Sequence, residues 1–489
     1  KSVLLISLKA CSNIREGLLE GRLLHDQVIR NEFRFDLDIA SSLISMYSDL
    51  ECMEDAIQVF NELPSPDITT WEAIISVLSK YGIGNIFEGR LINHEVLKHK
   101  LELNVSVGNF LIGMYAEWQS LDEARKIFDG LKHKDEMSWG IMLAAYIYDG
   151  IDLMTLDLFR DDMRLLPGRS MFVCTLKACN RMGSIEQGRL IHFQVIRTGF
   201  ETDLVVGNTL IDMYVKFGLL AEAQDVLDKL PIRGIVAWTA LITGYVDHGC
   251  GENALFCYER MQNESIPADA VTHLCCLAAC SSIPDIVKGQ EMHDVIFKKG
   301  LETGLMIGNS LIDMYAKCGL LASALVLFDK LEIPDIVSWN ALLAGYAQLG
   351  ECKHVFELLY KMIGNSIEPN AVTFGSILNA CSHAGLVDKG EIYFKSMRND
   401  YGLIPTMEHF NCLSDIFGRA GHIEKTIAII EHIPCHPSIV MWHAVLASCR
   451  KTGDVDLGIW AFECAIELCE KDSATYICMS NIYADTLNL

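Results

Sequence analysis

Asparagine side chains at a regular position are the first chemical feature of this sequence. Asn109, Asn208 and Asn309 each follow a glycine at one place in a repeating pattern, close to the start of a predicted helix. The Asn amide both donates and accepts hydrogen bonds, so such a series could recognise the polar edges of a ligand. Asn near a helix start is also a common N-cap. Recurrence at one position favours a polar groove over simple capping.

No catalytic constellation stands out in the chain. His422-Ile-Glu424 has the His-x-Glu spacing of zinc deaminases, but those enzymes also require Cys-x-x-Cys, which none of the 18 cysteines forms. His25, His192 and His293 recur once per long repeat, which favours packing or hydrogen bonding over metal ligation. We therefore expect no enzymatic activity, no metal site and no cofactor.

The composition indicates a folded, acidic protein. Apolar residues make up 51% of the chain and the formal net charge is −24, which excludes disorder. An acidic total weakens the expectation of tight nucleic-acid binding, because such binding gains from counterion release at phosphates. The absence of a long uncharged apolar run argues against a membrane span, and cysteines within apolar helical patterns fit a reducing compartment. Lys1 and Leu489 fall inside repeats, so we expect a processed or partial length of a longer protein.

Motifs recur along the chain with a long period. Leu-Lys-Ala-Cys occupies 8–11 and 176–179, and the variants at 277–280 and 378–381 follow at intervals of 101 residues. Met-Tyr recurs at 46, 114, 213 and 314, and Trp at 71, 139, 238, 339 and 442. A fixed long period is typical of stacked repeat units rather than of one compact core.

Residues 305–335 illustrate one unit. Leu311, Ile312 and Tyr315 share one face of a first helix, which Gly319 should end in a left-handed cap. Ser338 is a predicted N-cap for the next unit. The inner face of the second helix is predicted to contain Leu321, Ala324, Leu325 and Phe328. One such hairpin cannot bury both faces, so we predict an all-α fold, a right-handed α-solenoid superhelix of stacked helix-turn-helix repeats.

Three kinds of hairpin alternate. The short kind spans 37–67, 105–135, 204–234 and 305–335; the kind that carries Trp spans 136–168, 235–269 and 336–370; the kind with Leu-x-Ala-Cys spans 1–36, 169–203, 270–304 and 371–406. Residues 68–104 join a Trp-type first half, Ile68-Thr-Thr-Trp71, to a second half of the other kind that begins near Glu88. One hairpin is therefore missing at this point.

This arrangement resembles the pentatricopeptide repeat family, specifically its land-plant subclass with alternating P, L and S motifs. Asn309-Ser-Leu-Ile-Asp-Met-Tyr-Ala-Lys-Cys-Gly319 is similar to the S consensus and Val337-Ser-Trp-Asn340 to the P consensus. Met407-Glu-His-Phe-Asn-Cys412 resembles the terminal S motif. Val440-Met-Trp442 and Ser480-Asn-Ile-Tyr483 resemble E motifs. The resemblance implies a PLS array over 1–438 that ends in an S motif at 407–438, a first E motif over 439–472 and part of a second over 473–489.

The family reads single-stranded RNA at one base per repeat, so the resemblance implies reading positions here. These positions are the fifth and last residues of the P and S units. The implied pairs are Ser41 with Asp67, Asn109 with Asp135, Thr239 with Asp269, Asn309 with Asp335, Asn340 with Asn370 and Asn411 with Ser438. The family's rule assigns G, U, G, U and C to the first five, and a pyrimidine to Asn411 and to Asn208, whose partner position is Gly234. Gly140 with Gly168 offers no reading side chain.

Two further sets follow from the resemblance. Apolar residues that hold a base between them match at Val205, Val236, Met306 and Val337. Cations near the RNA phosphates match at Lys80, Lys216, Lys317 and Arg419.

By this resemblance the chain is a non-catalytic, sequence-specific RNA-binding protein of plant organelles, with the mitochondrion favoured over the chloroplast. It would specify a cytidine for C-to-U editing, with the deaminase supplied in trans or beyond Leu489. Its partners would be single-stranded organellar RNA and editing-complex proteins, without membrane insertion or a small-molecule substrate. Two alternatives remain open: a factor for RNA stabilisation, splicing or translation without editing, and a structural scaffold of a protein or ribonucleoprotein complex.

Overall fold

The computed structural model describes residues 1–12, 17–31, 33–81, 94–96, 98, 104–161, 167–302, 304–433 and 436–487. Across these residues the regular secondary structure is helical and contains no strand, which confirms the all-α prediction for this part of the chain. The second half predicted from Glu88 in the unit 68–104 begins outside the described residues.

Two compact units make up the described chain, Lys1–Leu241 and Ile242–Leu489. In the first unit, first helices alternate with second helices. The first helices are Ser2–Cys11, Leu37–Asp49, Ile68–Tyr81, Val105–Glu117, Glu136–Tyr148, Arg169–Met182 and Leu204–Lys216. The second helices are Leu18–Arg30, Met53–Asn61, Leu121–Gly130, Asp152–Asp161, Ile185–Thr198 and Leu220–Lys229. A short 3₁₀ helix, Phe200–Thr202, precedes the last first helix.

The same alternation runs through the second unit; the division falls inside helix Ile235–Asp247. The first helices are Ala270–Ser282, Leu305–Lys317, Ile336–Gln348, Ala371–Ala384, Met407–Ala420, Ile439–Thr452 and Ser473–Leu487. The second helices are Gly251–Asn263, Ile286–Lys298, Leu321–Lys330, Cys352–Gly364, Val387–Asn399, Ile423–His432 and Val455–Leu468. No described helix is long and apolar enough to cross a bilayer.

Local sequence explains where the helices of 305–335 and its neighbour begin and end. Gly319 adopts φ +81°, the left-handed cap predicted for it, and Leu320 N–H closes the turn on Tyr315 O at 2.9 Å. The N-cap of the next first helix is Asp335, and Ser338 lies three residues later as its capping-box partner. The prediction that Ser338 itself is the N-cap was wrong, because the Asp carboxylate reaches the exposed N–H groups first.

The interior of this hairpin combines residues from both helices. Leu311, Ile312 and Tyr315 are buried as predicted. On the second helix the buried residues include Ala324 and Phe328, whereas the predicted Leu325 is 36% exposed and Leu327 is buried instead. The prediction for Leu325 was wrong because a helix as short as Leu321–Lys330 turns only a narrow stripe toward its neighbours.

Aromatic pairs join three of the four short hairpins to the Trp-bearing hairpin that follows. In each of these pairs the Trp meets the edge of a Phe from the preceding second helix, with ring centroids 4.7 to 4.9 Å apart. The pairs are Phe60 with Trp71, Phe128 with Trp139 and Phe328 with Trp339. This edge-to-face packing explains why Trp recurs at one position of the first helix.

A second junction joins three of the four Leu-x-Ala-Cys hairpins to the short hairpin that follows. The recurring histidine bonds the Tyr of Met-Tyr through Nδ1, at 3.0 Å for His25–Tyr47, 2.7 Å for His192–Tyr214 and 2.9 Å for His293–Tyr315. A Cβ placed on Gly188 or Gly289 would overlap the sulfur of Met213 or Met314. Glycine is therefore required beneath the Met, and the histidines serve packing and hydrogen bonding as predicted.

One buried histidine replaces an aromatic residue of the repeat. Phe172 and Phe374 fill the fourth position of two Leu-x-Ala-Cys hairpins, where 270–304 has His273 with no exposed surface. Lys299 Nζ donates to His273 Nε2 at 3.1 Å, so the ring proton is on Nδ1. Among the described residues Nδ1 has no hydrogen-bond partner. Burial lowers the pKa of His273, and the ammonium of Lys299 lowers it further.

This pKa shift predicts acid sensitivity. As the pH falls below about 6.5, the unfolded chain binds a proton at this histidine while the folded chain does not. The free energy of unfolding therefore decreases as the pH decreases. We expect His273→Phe to reduce the loss of thermal midpoint between pH 7.5 and 5.5, measured by circular dichroism. The control is His133→Asn, which removes an exposed histidine. An unchanged pH dependence in His273→Phe would show that other groups cause the acid response.

Candidate nucleic-acid interface

A closed set of hydrogen bonds links the fifth residue of hairpin 305–335 to the start of the next hairpin. Asn309 Nδ2 donates to Asp335 Oδ1 at 3.0 Å. Ser338 donates to the same Oδ1 through its backbone N–H at 2.9 Å, and its hydroxyl lies 2.6 Å from Asn309 Oδ1. Two residues predicted from the sequence are thus brought together, and Ser338 completes a three-residue cluster.

The next junction repeats this cluster with an amide in place of the carboxylate. Asn340 Nδ2 donates to Asn370 Oδ1 at 3.1 Å, and Thr373 N–H donates to the same oxygen at 3.0 Å. The Thr373 hydroxyl donates to Asn340 Oδ1 at 2.7 Å. Because Oδ1 accepts these bonds, the outward atom of Asn370 is Nδ2, whereas that of Asp335 is a carboxylate oxygen.

Two further predicted pairs are also in contact. In the first unit, Asn109 Nδ2 donates to Asp135 Oδ1 at 3.1 Å, and Ser138 N–H donates to the same oxygen at 2.8 Å. In the second unit, Ser438 Oγ donates to Asn411 Oδ1 at 2.6 Å. The alternative that Asn109 and Asn309 are N-caps was wrong: each lies within a helix, and its partner is the cap of the next one.

The remaining reading residues lie in other arrangements. Ser41 Oγ donates to the backbone of Asp38 at 3.1 Å, while Asp67 caps its helix through Thr70, and no hydrogen bond between Ser41 and Asp67 is found among the described residues. Asn208 faces a partner position held by Gly234, and its Oδ1 is buried without a described partner.

The pair Thr239 and Asp269 divides between the two units. Thr239 lies on helix Ile235–Asp247 in the first unit. Asp269 lies in the second, where its Oδ1 caps helix Ala270–Ser282 by accepting from Thr272 N–H at 2.8 Å.

The cap carboxylates are stabilised as anions. Partial burial acts to raise the pKa of Asp335, but hydrogen bonds from Ser338 and Asn309 outweigh it and hold the pKa below its usual range. The balance is the same for Asp135, which receives bonds from Ser138 and Asn109. These aspartates therefore act only as acceptors at neutral pH.

An exposed apolar side chain occupies the second position of many first helices. The predicted set is exposed by 46% at Val205, 62% at Val236, 71% at Met306 and 53% at Val337. The sequence interpretation missed exposed residues at the same position, which are Met137, Val271, Val372 and Val440. An apolar residue at the second position of a first helix was the sequence signal that could have identified them. Residues two and five lie three apart on one helix face, so each apolar side chain borders a polar cluster.

Each predicted phosphate-binding cation lies close to an aspartate. Lys216 Nζ is 3.3 Å from Asp212, Lys317 Nζ is 2.8 Å from Asp313 and Arg419 Nε is 2.8 Å from Asp415, all one helical turn apart. Lys80 Nζ is 3.7 Å from Asp49 of the preceding hairpin. These ion pairs are exposed and individually weak, but they reduce the positive potential available to a polyanion.

Nothing in the described part of the chain gathers three or more His, Cys, Asp or Glu side chains into a possible metal site. His422 is the N-cap residue of helix Ile423–His432 and Glu424 lies in its first turn. Cys179, Cys280 and Cys381, at one equivalent position, are fully buried, and burial raises the pKa of Cys280 and Cys381 to about 12. Those thiols therefore behave as small core residues.

Comparison with known proteins places these features in a family. The model of the PPR repeat matches residues 39–65, 208–235, 236–266, 309–332 and 372–401, and a second model of the PPR repeat family matches 334–383. The crystal structure of the pentatricopeptide repeat protein PPR10 in complex with an 18-nt psaJ RNA element matches 98% of this chain and 76% of that chain, with a TM-score of 0.60 and 16% identity. That likeness shows the fold, a solenoid of stacked helical hairpins.

Curated relatives from Arabidopsis thaliana match almost the whole chain. One pentatricopeptide repeat-containing protein is 31% identical over 510 residues, which cover 98% of this chain but 62% of the relative. A second is 31% identical over 513 residues, which cover 97% of this chain and 70% of the relative. Other relatives are named mitochondrial or chloroplastic. With matches of this identity and extent, this chain belongs to the pentatricopeptide repeat family.

Proposed function

We propose that this chain binds single-stranded RNA, in a sequence-specific manner, on the face formed by its first helices. We further propose that it acts in a plant organelle and there marks a cytidine for C-to-U editing by a deaminase supplied in trans. The observation that carries the proposal is the hydrogen-bonded cluster that recurs at successive hairpin junctions, with Asn309 and Asp335 in one and Asn340 and Asn370 in the next.

The cluster has hydrogen-bonding capacity left for a base edge. Asn309 uses one amide hydrogen and one lone pair within the cluster, so one of each remains. The outward oxygen of Asp335 can accept from the N3–H group of uracil, while the remaining Asn309 N–H can donate to an adjacent carbonyl. An exposed apolar residue on the same helix face, Met306, can pack against the base.

The amide version of the cluster suits cytosine. Cytosine carries no hydrogen at N3 and therefore offers an acceptor where uracil offers a donor. Asn370 directs Nδ2 outward because its Oδ1 is occupied by Asn340 and Thr373. An outward N–H group can donate to cytosine N3, whereas an outward carboxylate oxygen would be repelled by it. The two neighbouring hairpins thus differ in whether the outward atom of the last residue accepts or donates a hydrogen bond.

Family membership and the names of the relatives support RNA binding and an organellar role. PPR10 was crystallised with an RNA element, and relatives carry mitochondrial or chloroplastic in their names. The editing role rests on the likeness of 407–438 and 439–472 to terminal S and E motifs. Sequencing organellar transcripts from a null mutant tests it: loss of one C-to-U conversion supports editing, and altered transcript ends, splicing or ribosome occupancy with intact conversion supports the other RNA roles.

A scaffold function is the second candidate, favoured by the electrostatics. The chain carries a formal charge of −24, and the predicted phosphate-binding cations each lie near an aspartate. A protein built mainly for protein contacts would tolerate this charge distribution. In a protein that binds RNA, the phosphates must displace these carboxylates from the cations.

Exchanging the outward atom at one hairpin tests base reading directly. Asn370→Asp keeps the Oδ1 acceptor and hence the helix cap, but replaces an outward N–H group by an oxygen. We expect preference at the aligned nucleotide to shift from C toward U, by about fivefold or more, since a good base contact contributes roughly 1–3 kcal/mol. By resemblance this nucleotide lies six positions 5′ of the edited cytidine. Fluorescence anisotropy with four RNAs that differ only there gives the ratio.

The matched control is the reverse exchange one hairpin earlier. Asp335→Asn should shift preference from U toward C at the neighbouring nucleotide, without changing the preference read by Asn370. If both variants weaken all RNAs equally, or change nothing, the clusters are structural caps and the scaffold candidate gains.

Removing the competing carboxylates tests the phosphate contacts. Asp212→Asn and Asp313→Asn leave Lys216 and Lys317 without their ion-pair partners. We expect the double variant to bind RNA severalfold more tightly at low salt and to depend more steeply on salt, because two cations become available to phosphates. Unchanged affinity and salt slope would place these lysines away from the RNA backbone. Asp225→Asn combined with Asp329→Asn, both exposed and on second helices, controls for the same change in net charge.

Catalysis by the chain itself is not part of the proposal. The purified chain, incubated with zinc and its preferred RNA, is expected to convert no cytidine, as judged by sequencing the recovered RNA. Conversion above the level of a heat-denatured control would contradict the assignment of the deaminase to a partner.

A further inference from the structure

Hairpin 136–168 departs from the others at both reading positions. Its fifth residue is Gly140 and its last is Gly168, so neither an amide nor a cap side chain is present. Gly168 is the N-cap residue of helix Arg169–Met182 and provides no side-chain hydrogen bond to it. By the sequence interpretation alone, this hairpin reads nothing.

A hollow opens on the first-helix face at this hairpin. It has a volume of about 570 Å³ and is lined by Met137, Gly140, Ser170, Val173 and Val205, among others. Met137 and Val205 are exposed apolar residues at the second position of their helices. A Cβ on Gly140 would lie 3.2 Å from Ser170 Cβ, so an ordinary side chain there would fill the floor of the hollow. Its apolar rim suits the face of a nucleic-acid base, for which the hollow has ample room.

A carboxylate from a different position occupies the place of the missing last residue. Glu136, the first residue of helix Glu136–Tyr148, extends along Gly168, so that a Cβ on Gly168 would overlap its carboxylate and lie 2.7 Å from its Cγ. Glu136 also lines the hollow. Glycine at 168 is thus what allows this carboxylate to approach.

The Glu136 carboxylate is available to a ligand. Among the residues that the structure describes, it forms no hydrogen bond or ion pair, and the nearby Arg169 is held elsewhere: its guanidinium lies 2.6 Å from Asp203. A carboxylate presents two acceptor oxygens and no donor. Its complement is a group with two adjacent N–H donors.

Guanine is the RNA base that meets this requirement. Its Watson–Crick edge carries N1–H beside the N2 amino group, which two carboxylate oxygens can accept together. Adenine and cytosine place a ring acceptor beside their amino groups, and uracil flanks its single N–H with carbonyl oxygens. We propose that hairpin 136–168 is a guanine-selective subsite in which Glu136 is the specificity-determining residue and Met137 and Val205 border the base; this rests on the proposed RNA-binding function.

Selection from a random RNA pool tests the subsite and the function separately. At one nucleotide per hairpin, this position lies three nucleotides 5′ of the one assigned to Thr239. Sequencing the RNA bound by the wild-type chain should show guanine enriched there, along with the bases assigned to Asn309 and Asn340. In Glu136→Gln the guanine enrichment should fall about tenfold, since one good bidentate base contact is worth about that much, while the other positions are unchanged.

Glu186→Gln is the matched control, because it removes the same charge from an exposed position on a second helix. It should leave every enrichment intact. The subsite is overturned if RNA is selected at the positions of Asn309 and Asn340 but no base is preferred at this one, or if guanine enrichment survives Glu136→Gln. If no sequence is enriched at any position, the proposed function itself fails and the subsite with it.

Discussion

The side-chain oxygen that caps a first helix is the atom on which the candidate interface depends. At Asp335 and Asn370 a single Oδ1 satisfies backbone N–H groups that the helix cannot satisfy itself, and it also accepts a bond from the amide of the preceding hairpin. Without it, Asn309 and Asn340, each only 8% exposed, would leave donors buried and unpaired. The requirement for a helix cap therefore fixes the rotamer of the residue proposed to read a base.

The apolar junctions between hairpins hold together the helices that carry these polar clusters. One kind presses a Trp against a Phe, as in Phe328 and Trp339, and the other seats a Met over a glycine beside a histidine–tyrosine bond, as in His293 and Tyr315. Neither junction uses the polar fifth positions or the exposed apolar second positions of the first helices. Packing is thus satisfied by one set of positions while another set remains free to vary, which lets hairpin 136–168 lose its reading residues without losing its fold.

The charge distribution of the chain opposes RNA binding, although its fold suits it. Aspartates one turn before Lys216, Lys317 and Arg419 hold these cations in exposed pairs. Exposed pairs separate at low cost, so phosphates could displace the carboxylates, but part of the attraction would be lost in the exchange. Under the proposed function, recognition then depends more on base edges and apolar contacts than on net charge, and binding should be more selective than strong.

The sequence by itself determined the all-α repeat, since a period of about 101 residues combined with helical spacing admits few folds. Its resemblance to the family pointed to the pairing of Asn109, Asn309 and Asn340 with their partners, which are in contact. It also predicted the left-handed turn at Gly319, because that turn is a local property. The sequence did not settle roles that depend on competition or packing between neighbouring residues. Asp335 rather than Ser338 caps the helix, because a carboxylate at the N-cap position accepts from the free N–H groups first. Leu325 is 36% exposed, because a short helix leaves its orientation to its neighbours. Glu136 and Gly168 are 32 positions apart in the sequence. Only the tertiary structure, in which one first helix stacks on the next, decided that the carboxylate of Glu136 fills the space that a side chain at Gly168 would take.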